Sequence, residues 1–179
     1  MPSAVDSAFD VAFWFADMAL NENEYLQPQK MHRLMFLSQA YYAVANDGAS
    51  LMPAVFVADE MGPIEPTVYT AFAKGRPNVD VNMFMPEKVE IFLEEIWSKF
   101  GRQSVEQLMS ATKNTVAYRQ ALKRGRRAQI SLDSMRNSFA QNKKQGGLEI
   151  GKPQIMRNQS GAAVTVKAWV PKKKKSATS

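Results

Sequence analysis

The chain has no cysteine. That excludes disulfides, thiolate metal sites and a thiol nucleophile, and it fits a reducing cytoplasm. There is one histidine, His32. A lone histidine cannot supply the usual two- or three-histidine metal set, and no His-Glu-x-x-His cluster occurs. His32 has two readings, a boundary residue on a helix or a pH-sensitive contact. No uninterrupted apolar run approaches the roughly 20 residues of a membrane helix. The first residues carry Asp6 and Asp10 and no basic stretch, so no signal peptide is expected there. A phosphate-cradling Gly-x-x-x-x-Gly-Lys-Ser/Thr loop is missing, and so is a Gly-x-Ser-x-Gly elbow. The expectation is a soluble, cytoplasmic protein that is not an enzyme, with no catalytic residue, no metal, no cofactor and no membrane partner.

Acidic residues are scarce in the last third. Residues 113–179 hold 16 Lys/Arg against 2 Asp/Glu, whereas residues 1–112 hold 7 against 15. The two parts net +14 and −8 within an overall +6. A basic segment of this kind suits nucleic acid, an acidic protein, or the acidic part of its own chain.

Hydrophobic residues make up 45% of 179, enough for one domain with a core. Phe9, Phe13, Ala16 and Leu20, widened by Val5, Ala12 and Phe15, predict a helix over 6–20. Pro28 opens a second helix to about Asn46, with an apolar face of Met31, Leu34, Met35, Leu37, Tyr41, Tyr42 and Val44. Ala54-Val55-Phe56-Val57 reads as a strand or simply an extended segment. Gly62-Pro63-Ile64-Glu65-Pro66 reads as a rigid chain reversal, since glycine tolerates unusual φ/ψ and proline fixes φ. Pro66 then starts a short helix through Tyr69 and Phe72. Val89, Phe92, Leu93, Ile96, Trp97 and Phe100 stripe a helix from Pro86 to Gly101. Ser104-Val105-Glu106-Gln107 is a capping box for the next. Further helices are expected over 116–123 and 131–142. The fold class is mainly α, a compact helical domain over 4–145. A β-hairpin extension over 148–170 follows Gly146-Gly147, its strands near Gln154–Arg157 and Ala163–Trp169 about an Asn158-Gln159-Ser160-Gly161 turn. Residues 171–179, with Lys172–Lys175, form a basic disordered tail that serves as a tether, a nucleic-acid arm or a solubiliser.

Several residues invite a chemical role. Asp59 and Glu60 are paired carboxylates, which can do acid–base work or bind metal, but no third ligand or base is evident. A turn or helix-start role suits them better. Lys30 is charged within an apolar helix. It either snorkels to solvent or pairs with Asp59, Glu60 or Glu65 to hold the turn against that helix. Lys123, Arg124, Arg126 and Arg127 form the densest basic cluster of the helical part, a candidate contact for a protein partner or for phosphates. Most of the 11 Met and 18 aromatic residues belong to the core, and some Met suit an adaptable protein-binding groove.

Gln29-Lys30-x-x-x-Leu34-x-Phe36-x-x-Gln39, then Leu51 and Gly62-Pro63-Ile64-x-Pro66-x-Val68-Tyr69, resembles the Panacea domain, also called the SocA-like antitoxin domain. The likeness covers roughly residues 8–140. It departs in the later helices, where the family often has Thr-His and then Trp, whereas this chain has Thr112-Lys113 and then Tyr118. The resemblance implies a mostly helical bacterial or phage-type antitoxin that binds and neutralises a cognate toxin protein. Within the same family it also implies an adaptor role, delivering that toxin to a ClpXP-type AAA+ protease. Lys30, Leu34, Phe36, Gln39, Gly62, Pro63, Pro66 and Tyr69 are the family-motif residues, read as structural. The alternative is a basic DNA-associated protein or transcriptional autoregulator that uses the 123–127 cluster and the tail.

Overall fold

The computed structural model describes residues 2–79, 84–144, 155–157 and 163–165. It is mainly helical, as expected, with seven helices among the described residues. Helix α1 (Ala8–Asn21) starts at a capping box. Ser7 Oγ accepts from the Phe9 N–H at 3.1 Å, and Asp10 Oδ2 accepts from the Ser7 N–H at 3.0 Å. Its buried apolar residues are Ala8, Val11, Ala12, Phe13, Phe15 and Ala19. The stripe is rotated from the expected one, because Leu20 stands exposed.

Helix α2 (Pro28–Ala45) is the axis of the domain. It packs against α1, the α4 (Glu87–Phe100), α5 (Val105–Lys113) and α7 (Leu132–Lys144) helices, and a strand. Surrounded on all sides, it buries twelve residues rather than one stripe, including the polar His32, Arg33, Ser38 and Gln39. Each buried polar group needs a partner. Gln39 finds four. Its Oε1 accepts from the Leu51 and Met52 N–H groups, both at 3.1 Å, and its Nε2 donates to Ser50 Oγ and to the Met52 carbonyl. The loop after α2 is therefore fastened to the helix it leaves. Aromatic rings close the core around α2: Phe36 meets Phe56 at 5.5 Å, and Tyr41 meets Phe139 at 5.0 Å.

One feature departs from the sequence expectation. A three-stranded antiparallel sheet forms from β1 (Phe56–Asp59), β2 (Gly62–Ile64) and β3 (Ala128–Ile130), in the order β2-β1-β3. Val57 faces Ile64 and Asp59 faces Gly62, while Phe56 faces Ile130. The reversal expected across Gly62–Pro66 lies earlier, at Glu60 and Met61, and Gly-Pro-Ile is itself a strand. Proline is tolerated there because β2 is an edge strand.

The remaining helices follow expectation. Helix α3 (Pro66–Phe72) begins with proline in its first turn. The Ser104/Gln107 capping box is present at α5. Helix α6 (Val116–Arg124) leads into β3. Strands β4 (Ile155–Arg157) and β5 (Ala163–Thr165) pair antiparallel, at the positions expected for the hairpin. The Gly146-Gly147 junction, the 158–161 turn, the stretch to Trp169 and the lysine tail lie outside the described residues.

Candidate interaction site at the β1–β2 hairpin

The hairpin is held from two sides by two arginines. From inside the domain comes Arg33, on the second turn of α2 and only 2% exposed. Its Nη1 donates to the Gln29 carbonyl at 2.7 Å, and its Nη2 donates to the Met61 carbonyl at 2.6 Å. Charged donors make the stronger hydrogen bonds, and burial strengthens them further. The same burial pulls the Arg33 pKa below its ordinary value, with Glu106 and Tyr118 acting the other way. Gly62 follows directly, at φ +117°. A Cβ there would sit in the unfavourable left-handed half of φ, 3.6 Å from Arg33 Nη2.

Beside Arg33 lies His32, also 2% exposed. Its Nδ1 accepts from the Glu65 N–H at 3.4 Å, so the ring is neutral with its proton on Nε2. Burial, and then the Arg33 charge, lower its pKa to about 4. The boundary reading of His32 is thus corrected: it is an interior residue at the foot of α3. Glu65 caps that helix, its Oε2 accepting from the Val68 N–H at 2.7 Å.

From the outer side comes Arg127, whose Nε donates to Asp59 Oδ2 at 3.0 Å. Asp59 Oδ1 accepts from the Met61 N–H at 3.3 Å. Burial alone would raise the Asp59 pKa. The hydrogen bonds from Arg127 and Met61, and the charges of Arg127 and Arg126, outweigh it and hold the carboxyl below its usual range. Tyr118, buried on α6, donates its hydroxyl to the Asp59 carbonyl at 2.6 Å, and burial raises its pKa. Lys113 Nζ donates to the Glu60 carbonyl at 2.9 Å. Helices α2, α5 and α6 and the segment between α6 and β3 thus all grip the Asp59–Gly62 turn.

The residues singled out in the sequence are placed as follows. Leu34, Phe36 and Gln39 are buried on α2, and Gly62 and Pro63 are buried in β2. Pro66 starts α3, and Tyr69 projects from it, 47% exposed. Lys30 makes no ion pair with Asp59, Glu60 or Glu65. Its ammonium stands 5.9 Å from the centroid of the Trp97 ring, because the first turn of α2 faces α4 rather than the hairpin. The hairpin is gripped by Arg33 instead. Asp59 and Glu60 part company, Asp59 buried and Glu60 exposed. The basic cluster also divides. Lys123 and Arg126 are exposed, Arg124 donates to the Gln129 carbonyl, and Arg127 turns to Asp59.

Sequence reading missed Arg33, Tyr118 and the Asp59–Arg127 pair. For Arg33 a signal existed, a charge one turn deeper than Lys30 in the same apolar helix. The other contacts join residues far apart in sequence, for which one chain offers no cue. Among the described residues no group of three or more His, Cys, Asp or Glu could hold a metal ion, and no helix is long and apolar enough to cross a membrane. No family model, curated protein or solved structure matches the chain.

Proposed function

We propose that the chain is an antitoxin of the Panacea, or SocA-like, kind, a protein-binding module that neutralises a cognate toxin. The observation that carries this reading is the convergence of the motif residues on one frame. Gln39 fastens the loop leaving α2, Gly62 and Pro63 form the edge strand over Arg33, and Pro66 opens the helix that presents Tyr69. Residues spread over forty positions thus take part in one frame built around α2 and β2. Delivery to a ClpXP-type protease is the finer branch of the same reading.

The test is growth rescue. The product of the adjacent reading frame is expressed alone and with this chain. Toxicity alone and growth together support the reading; toxicity unrelieved by this chain overturns it. Repeating the rescue in a strain without the protease separates sequestration from delivery.

The alternative is a DNA-associated protein or autoregulator, favoured by exposed Lys123 and Arg126 beyond the end of α6 or in its last turn. Cations at a helix C-terminus also suit the helix dipole, which weakens that inference. A salt titration separates the two, because phosphate binding falls steeply with salt and an apolar protein interface does not.

A further inference from the structure

Three described residues other than glycine have left-handed backbones: Asn23, Asp47 and Arg127. Asn and Asp tolerate that conformation, whereas arginine has no such licence. Arg127, at φ +58°, is set there by Gly125 at φ +145° and by its own N–H, which donates to the Ala58 carbonyl at 2.9 Å. This costly conformation puts the guanidinium at one place. Its Nε meets Asp59, and its carbon stands 5.9 Å from the centroid of the Tyr69 ring. The Asp59 bond uses one of five guanidinium donors, and the side chain is 51% exposed.

Around it lie Tyr69, at 47% exposure, and Met61, at 52%. Arg126 is exposed beside them and close enough to act on the Asp59 charge. Tyrosine, methionine and arginine are the types enriched in protein interfaces, and tyrosine and arginine dominate their energetics. An exposed aromatic ring and an exposed methionine near an arginine anchored to Asp59 give the surface both an apolar and a cationic part.

The geometry points to this Met61–Tyr69–Arg126–Arg127 face as the docking surface for an acidic segment of a partner protein, a carboxylate flanked by a large apolar side chain. This rests on the antitoxin reading only for the partner's identity as a toxin. The carboxylate meets the free edge of Arg127 and the side chain of Arg126, and the apolar residue covers Tyr69 and Met61. Duplex DNA fits less well: its bases are stacked inside the helix, so the apolar pair would have little to cover.

Two arms test it. In the first, a displayed random dodecapeptide library is selected on the full chain, and winners are mapped by amide shifts. The expected winners place Asp or Glu beside Leu, Phe or Met and shift residues 61, 69, 126 and 127. Tyr69→Ala and Arg126→Glu should each weaken binding about tenfold or more, while Arg126→Lys retains most of it. Both positions are exposed, and circular dichroism and thermal melts check that the variants keep the fold. Arg127→Ala is avoided as the sole test because it also frees Asp59. No winners on this face, winners without acidic residues, or duplex DNA displacing them from the same residues would overturn the proposal. In the second arm the Tyr69→Ala/Arg126→Glu double variant enters the growth-rescue assay. Rescue by wild type but not by the folded variant supports the face, and equal rescue by both overturns it. If wild type itself fails to rescue, the antitoxin reading falls, and the peptide arm still decides the surface.

Discussion

Arg33 and Arg127 reach the same hairpin turn from opposite sides, and they do different work. Arg33 is sealed in the domain and serves the Met61 carbonyl. Arg127 is half in solvent and serves the Asp59 carboxylate. The inner arginine has no accessible face, so it can only set the shape of the turn. The outer one shares its fork between an internal anchor and whatever approaches from outside. Sequence type does not separate them; depth and partner do. A buried charge bonded to a carbonyl is structural, whereas an exposed charge held in a strained backbone is poised for contact.

The comparison is sharpest when each side is broken in turn. Arg33→Ala should have the largest effect. It deletes two charge-assisted hydrogen bonds and orphans a carbonyl, at a cost of about 4 kcal/mol in denaturant unfolding. A loss below that expected for Arg127→Ala would reverse the assignment of inner and outer roles.

Acid should probe the inner side next. His32 has a folded pKa of about 4 against an unfolded value near 6.5. The unfolded chain therefore binds the proton first as pH falls. The stability held by neutral His32 is complete above about pH 6.5 and is lost progressively down to about pH 4, about 3 kcal/mol in all. His32→Leu should flatten the unfolding free energy across that window. Asp59 adds a separate loss at lower pH, because its carboxyl is held below the ordinary aspartate range. An unchanged pH profile in the His32→Leu variant would show that the ring is not the titrating group.

Gly62→Val should cost about 2 kcal/mol. The φ of +117° strains any L side chain, and the branch crowds Arg33. Wild-type thermal stability would mean that the turn relaxes freely. Arg127→Ala should have the smallest effect on stability, about 1 kcal/mol, since the pair is half solvated. Its larger effect should fall on partner binding.

Much of the helical frame was legible in the sequence. Local chemistry announces it: the Ser104/Gln107 box, Pro28 and Pro66 in first turns, and the stripe from Val89 to Phe100 all carry their meaning within a few residues. The sheet was legible only in part, where the run ending at Phe56-Val57, read as a strand or extended segment, overlaps β1. Strand β3 is three residues long, and Gly-Pro-Ile looks like a turn until β1 is laid beside it. The face of α2 was obscured for the opposite reason: a helix enclosed on every side has no polar stripe, so periodicity cannot orient it. Lys30 and Arg33 show the consequence. Both are cations on an apolar helix, but one lies at its open end and the other under the hairpin. The contacts of the motif residues Gln39 and Gly62, to Ser50–Met52 and to Arg33, span the fold.

The most direct measurement is amide hydrogen exchange on this chain with and without the product of the adjacent reading frame. A rigid hairpin that presents Tyr69 and Arg127 to a protein partner predicts new protection at residues 60–70 and 125–128 in the complex, with little change along α4. Protection confined to α4, with the hairpin unaltered, would contradict it.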